Sequence, residues 1–546
     1  MHNYEVREAC MNFINSGTGY SLFEFELKKA SYIDKSMLID AFYNYAQKVN
    51  RHVCVTRPRR FGKSTAANMI AAFFDKSVSE QSKKLFKKLS VGQVYDASIK
   101  GIVTPYCSNC WSCQGKLNVI HINMIDVITE TVSSYQSFID KLRDLLIEDI
   151  LTMYPDIIIK DDTSLSEILM KTGDNFAFVL DEWDALFEVK FMTEDDKESY
   201  ISFLKSLLKD KKYVSFVYMT GILSISKYSS GSPLNMFEEF SAFQDDVLYP
   251  YFGLTNDEII QLIEKQGFKE PALSEMELWY DGYMRSHDGV HVYNPASVSK
   301  ALGSGVCRNY WTGTGPMNEV RDIILNNVED VREDIIRMAG GESIDIELSG
   351  FSVEKTLVNT RDEILSAMVV YGFLTYYEKK LCIPNHELMM KFREALSSKQ
   401  LGFKQTLEES RKLLEATLEQ RDADVAAMLE DLHNEKIPFF NYNDENSLAC
   451  VITIGYISAL DRYKITREDK AGKGYADFTF EPFNKFDTAI ILELKYNHSA
   501  EDAIRCIRER GYIKRLKDYK KVLLVGINYS EKTKTHSCLT TLERND

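Results

Sequence analysis

Lys63 and Ser64, directly behind Gly62 at the end of HVCVTRPRRFGKST (residues 52–65), have the types and spacing to handle a phosphate. The stretch reads as a buried strand (His52 to Thr56), a tight basic loop, and a helix opening at Gly62-Lys63-Ser64. In that layout backbone N–H groups and the helix N-terminus supply positive charge, Lys63 reaches the outer phosphates, and the Ser64 hydroxyl ligates Mg²⁺. The pattern G-x-x-x-x-G-K-[ST] is met everywhere except its first position, where Arg57 stands. The expected contact set is Arg57, Pro58, Arg59, Arg60, Phe61, Gly62, Lys63, Ser64 and Thr65, around a nucleoside triphosphate taken to be ATP with Mg²⁺. Arg59 and Arg60 are candidates to touch phosphate in cis, with a residue supplied in trans as the alternative. A strand, loop and helix without a ligand is the plainer reading of the same residues.

The segment FAFVLDEWD (176–184) is an apolar strand ending in Asp181-Glu182. Beside a phosphate loop, Asp181 would hold Mg²⁺ through water, and Glu182 would orient or deprotonate the attacking water. Two solvated acids at a strand end are the alternative. The next strand runs into MTGILSISK (219–227), where Thr220 and Ser224 are candidates to sense a γ-phosphate, although hydroxyls there commonly cap helices.

Near the C-terminus, GYADFTFEPFNKFDTAIILELKYN (474–497) reads as a β-hairpin, with Asp477 on one strand and Glu493-Leu494-Lys495 ending the next. Alternation puts Glu493 and Lys495 on one face, where Asp477 joins them. Two carboxylates and the intervening carbonyl would bind Mg²⁺, and Lys495 would position water or stabilise charge developing on a phosphate. A solvated Glu–Lys pair on a hairpin is the alternative. Residues 501–521 carry eight basic residues (Arg505, Arg508, Arg510, Lys514, Arg515, Lys517, Lys520 and Lys521) against four acids. They would draw a DNA or RNA backbone toward Asp477 and Glu493, or form a plain solvated face. Cys107, Cys110 and Cys113 form C-x-x-C-x-x-C, spaced for zinc or an iron–sulfur cluster. No nearby Cys or His supplies a fourth ligand, since His121 falls inside a predicted strand, so free or redox-active thiols are the alternative.

These groups need rigid elements to hold them. Over the first ~250 residues, short apolar runs at 52–56, 118–122, 176–180 and 214–219 alternate with amphipathic stretches, the pattern of a parallel α/β sheet covered on both faces. From 255 to about 400 the spacing turns helical, and a charge-dense helical pattern at 403–434 leads into a last α/β segment. A chain of 546 residues predicts about three domains. With 45% hydrophobic and 27% charged residues it reads as globular, and a net charge of −15 argues against a general nucleic-acid coat. No apolar run approaches the ~18 residues of a membrane span. MHNYEVREACMNF lacks a signal-peptide pattern, and the ten cysteines are mostly scattered, so the expected setting is the cytoplasm.

The motifs YIDKSMLI (32–39), RPRRFGKS (57–64), VLDEWD (179–184), TGIL (220–223), YFGLTNDEI (251–259), YDGY (280–283), VYNPASV (292–298), YWTGTG (310–315) and IPNHE (383–387) occur in one order along the chain. In them the sequence resembles the AAA-ATPase-like proteins that carry a C-terminal nuclease-like domain of the PD-(D/E)XK superfamily. The resemblance implies an α/β P-loop NTPase domain over 1–254, a mainly helical lid or winged-helix-like segment over 255–402, and a restriction-endonuclease-like α/β domain over 403–546. It makes Arg57 a family trait, and Asp477, Glu493 and Lys495 the nuclease signature. Glu445 then matches an acidic residue that completes the metal shell. It also marks a departure, since Cys506 stands where such proteins often carry Gln. The expected function is an Mg²⁺-dependent ATPase coupled to a nuclease-like domain acting on nucleic acid. The alternative is a nucleotide-dependent switch whose nuclease-like end is inactive and serves binding or scaffolding.

Overall fold

A computed structural model of the protein describes residues 11–99, 109–160, 163–225, 234–311, 329–348, 360–396, 407–433, 445–471 and 474–544. The first sheet holds β1 (His52–Thr56), β2 (Asn118–Asn123), β3 (Phe176–Asp181), β4 (Val214–Gly221) and β5 (Glu238–Phe240), in the order β2-β3-β4-β1-β5. All four pairings are parallel. Continuous burial along β1 and β3 follows from helices on both faces. Val53 and Val55 enter one core with Phe42 and Phe73 of the helices α2 (Met37–Lys48) and α3 (Lys63–Phe74). Cys54, one residue out of phase, faces the opposite core with Phe178 and Tyr200. The strands fall where the apolar runs predict them. β5, with the sequence EEF, carries no such run and extends the edge beside β1.

The middle of the chain is mainly helical. It adds a short hairpin of β6 (Tyr283–Met284) and β7 (His291–Val292), and an antiparallel sheet of β8 (Ile344–Asp345), β9 (Thr375–Tyr377) and β10 (Lys380–Cys382) in the order β8-β10-β9. The C-terminal sheet is mixed and runs in chain order through β11 (Tyr463–Ala471), β12 (Gly474–Pro482), β13 (Ala489–Tyr496), β14 (Lys521–Ser530) and β15 (Thr535–Arg544). Only β13 and β14 are parallel, and the helix Ala500–Arg510 makes the crossover between them.

One apolar core passes from the middle segment into the C-terminal sheet, through Ile335 and Met368 to Ile452, Phe480 and Leu492. Polar ties reinforce it. Glu342 accepts from both Arg337 and Arg467, joining the end of the helix Glu329–Ala339 to β11. The helix His386–Leu396 is the other brace. Its Glu387 accepts from Ser297 Oγ (2.9 Å) and from the backbone N–H groups of Tyr310 (2.6 Å) and Trp311 (2.7 Å). His386 stands edge-on to both Trp279 and Phe483, and Arg393 pairs with Asp461.

Candidate functional site

β1 delivers the chain into the loop 57–62, and α3 opens at Lys63. Gly62 has φ +88°, a conformation that a side chain disfavours, which explains glycine at this turn. Lys63 is 4% exposed, and its Nζ donates to Pro58 O at 3.2 Å, so the loop is curled around its own lysine. A cavity of about 440 Å³ opens beside the loop, within the range of small-molecule sites. Arg60, Phe61, Gly62, Lys63, Ser64 and Thr65 contribute to its wall, with Glu182 across from them.

Arg57, Pro58 and Arg59 do not line this cavity. For Arg57 the structure corrects the expected phosphate contact. Its guanidinium turns behind the loop, donates to Phe240 O at 2.8 Å, pairs with the buried Asp245, and lies 5.1 Å from the Phe252 ring centroid. Asp245 is fixed in turn by the N–H groups of Val247 and Leu248. Arg59 reaches Glu188, with both oxygens 2.7 Å from Nη2.

β3 ends at the buried Asp181, whose Oδ1 accepts from Thr220 Oγ1. Thr220 thus holds the carboxylate, while the Ser224 hydroxyl donates to Glu239 Oε2 at 2.7 Å. Glu239, on the strand missed in the sequence, also accepts from Thr56 at 3.0 Å. Glu182 sits at φ +52°, an uncommon conformation for a glutamate. Burial, helped by the charges of Asp181 and Asp184, pushes its carboxyl up to about 7 against the pull of Lys63 and Arg59. Asp184 accepts from Ile222 N (2.8 Å) and Leu223 N (2.6 Å), which locks the end of β4 beside β3.

The cavity has further walls to which sequence reasoning gave no role. Tyr32 and Ile33 come from the link between the helix Thr18–Leu27 and α2. Gly253 and Leu254 precede the helix Asn256–Gln266, and Ser299 and Lys300 lie on the helix Pro295–Ser304. A contact of 2.6 Å between Ser31 Oγ and Ser299 Oγ closes one side. Lys35 donates to Pro250 O and pairs with Glu258, tying the same link to the middle segment. The signal was present in the motifs at 32–39, 251–259 and 292–298, which all converge on this cavity.

At the C-terminal site, β12 and β13 pair Phe478 with Leu492, and continuing that register sets Asp477 opposite Glu493. Asp477 Oδ2 accepts from Leu494 N at 2.6 Å. Glu493 is 2% exposed, and its Oε1 accepts from Lys495 Nζ at 2.8 Å and from Cys506 Sγ at 3.0 Å. Its Oε2 is buried with no hydrogen-bond partner among the described residues. A buried carboxylate oxygen without a donor is costly, and a cation is the group that fits it. Burial would lower the Lys495 pKa, yet the bond to and charge of Glu493 hold it above its ordinary value. Burial and Glu493 push the Cys506 thiol up to about 11. Glu445 opens the helix Glu445–Gly455, and its side chain lies outside the described residues.

The basic stretch is less free than its composition suggests. Arg505 pairs with Asp502, Arg508 with Glu543 and Arg515 with Glu481. Lys520 precedes β14 and Lys521 opens it; β14 pairs Val522 with Ala489 and Gly526 with Glu493. These lysines therefore sit at the opposite end of the sheet, beyond a rise of about 13 Å along the strand. Of the cysteine triplet, Cys107 lies outside the described residues, Cys110 is buried, and Cys113 lies 2.9 Å from Tyr43 OH. Among the described residues no three His, Cys, Asp or Glu side chains gather to hold a metal ion. No described helix is long and apolar enough to cross a membrane.

Residues 20–230 match the AAA-ATPase-like family model, described as a predicted AAA-ATPase, and residues 443–537 match that of the PD-(D/E)XK nuclease superfamily. The chain thus carries one region similar to AAA-ATPase-like proteins and, C-terminal to it, another similar to the PD-(D/E)XK nuclease superfamily. Among solved structures it is similar to a Walker-type ATPase of Pyrococcus abyssi, at 12% identity over 65% of this chain and 94% of that one, with a TM-score of 0.35. It is also similar to the ORC2 protein of Aeropyrum pernix in its ADPNP–ADP complexes, at 12% identity over 67% and 95% of the two chains, with a TM-score of 0.30. No curated protein matches the chain.

Proposed function

We propose that the protein hydrolyses ATP at the cavity beside the phosphate loop and that the C-terminal domain cleaves nucleic acid. The observation that carries the first part is the convergence of Lys63, Ser64 and Glu182 on one cavity of nucleotide size. The loop N–H groups and Lys63 hold the phosphates, Asp181 and Ser64 are the residues that would hold Mg²⁺, and Glu182 orients and deprotonates the attacking water. Bound Mg²⁺ would neutralise charge on the phosphates. At the other end Asp477 and Glu493 would hold a divalent cation, and Lys495 would meet the phosphate that is attacked.

The two halves are read separately in one preparation. Phosphate release from ATP should require Mg²⁺ and vanish in Lys63→Ala, while cleavage of DNA or RNA should vanish in Glu493→Ala and in Asp477→Ala. Phosphate release that survives Lys63→Ala places hydrolysis elsewhere. Intact single- and double-stranded DNA and RNA in the presence of Mg²⁺ or Mn²⁺ and ATP would leave the C-terminal domain a binding module under nucleotide control.

A further inference from the structure

The two oxygens of the Glu493 carboxylate are treated differently. Oε1 takes two donors, Lys495 Nζ at 2.8 Å and Cys506 Sγ at 3.0 Å, and Oε2 takes none among the described residues. The second donor reaches the strand because the crossover helix Ala500–Arg510 lies unusually close. Gly526 of β14 pairs with Glu493, and a Cβ there would stand 2.3 Å from Ala500 O and 3.0 Å from Ala503 Cβ. Only a glycine at that register position lets the helix set Cys506 against the carboxylate.

We propose that Cys506 is a positioning residue of the C-terminal cation site: its thiol fixes Oε1 so that Oε2 stays aimed at a divalent cation shared with Asp477. This rests on the cation-binding reading of Asp477 and Glu493 given above. Two donors on one oxygen are not redundant. Lys495 has a long, flexible stem and an ammonium suited to a phosphate. Once its Nζ turns to a substrate phosphate, the thiol is the donor that remains on Glu493. Groups that orient a metal ligand in this way carry about 10–100-fold in metal affinity.

The test is Mn²⁺ binding to the full-length, nucleotide-free protein, read from the electron paramagnetic resonance signal of free Mn²⁺. Cys506→Ala should weaken binding about tenfold. Cys506→Ser, equally small but with a hydroxyl donor, should recover most of that loss. In a Lys495→Ala background the Cys506→Ala loss should grow, because the thiol is then the sole donor. Cys506→Ala binding as tightly as the native protein, or Cys506→Ser binding as weakly as Cys506→Ala, overturns the proposal. If Glu493→Gln binds Mn²⁺ as tightly as the native protein, the cation reading itself fails, which is a separate result.

Discussion

Phe61, near the tip of the phosphate loop, packs edge-on against Tyr283 of the middle segment, with ring centroids 4.9 Å apart and planes at 86°. The same tyrosine donates to Gly372 O at 2.9 Å, and a Cβ on Gly372 would stand 2.6 Å from Pro58 Cβ. Both ends of the loop are therefore clamped by the segment that also braces the C-terminal sheet. The shape of the phosphate loop and the seating of the middle segment share these contacts.

Phe61→Ala should cost about 3–5 kcal/mol of stability, as for a phenylalanine removed from a core. It should also weaken nucleotide binding, because the loop loses its anchor. Chemical denaturation and titration with a fluorescent ATP analogue check the two effects. An affinity that stays native while stability falls would show that the clamp does not shape the site.

Restoring the missing glycine of the motif should harm the protein. Arg57 and Asp245 form a pair with side chains 8% and 0% exposed. Arg57→Gly leaves Asp245 as an uncompensated buried charge, a change that costs about 3–5 kcal/mol. Adding Asp245→Asn should recover part of this, since an oxygen remains for the N–H groups of Val247 and Leu248. Greater thermal stability of Arg57→Gly alone would refute the structural role of the pair.

The sequence carried the parts of this architecture that depend on local pattern. Four strands of the first sheet are continuous apolar runs, and Asp181-Glu182 and Glu493-x-Lys495 stand at strand ends where alternation can be counted. Contacts set by long loop closures were not legible. Asp245 lies 188 residues from Arg57, so nothing near the loop marks the arginine as structural. The contact of Cys506 with Glu493 depends on helix approach over Gly526, a packing distance that spacing alone does not encode. At 501–521, likewise, a count of charges says nothing of their partners or of which end of the strand they occupy.

Hydrolysis of ATP should depend on pH through Glu182. Its carboxyl is pushed up to about 7 by burial, so the ionised form that accepts a proton accumulates only as pH rises through that value. The rate constant kcat should be about tenfold lower at pH 6 than on a plateau above pH 8. Glu182→Gln should lower kcat by about 10²–10⁴-fold and abolish this limb. Stability runs the other way. The folded state retains a proton that the unfolded chain releases above the ordinary carboxyl range, so stability falls as pH rises from there to about 7. A pH-independent kcat in the native protein would remove Glu182 as the base.

A divalent cation should stabilise the C-terminal domain without any nucleotide. Glu493 Oε2 is buried with no donor among the described residues, and Asp477 stands opposite on the neighbouring strand. A ligand that binds only the folded state at about 100 times its Kd adds about 2.7 kcal/mol. For a domain of this size that raises the Tm by several degrees. Scanning calorimetry with Mg²⁺ or Mn²⁺ against a chelator should show the shift in the native protein and in Lys63→Ala, which leaves the far site intact. Asp477→Asn and Glu493→Gln keep the shape of the side chains and remove the charge that holds the ion, so their transitions should not move. An equal shift in those two variants would place the cation elsewhere in the chain.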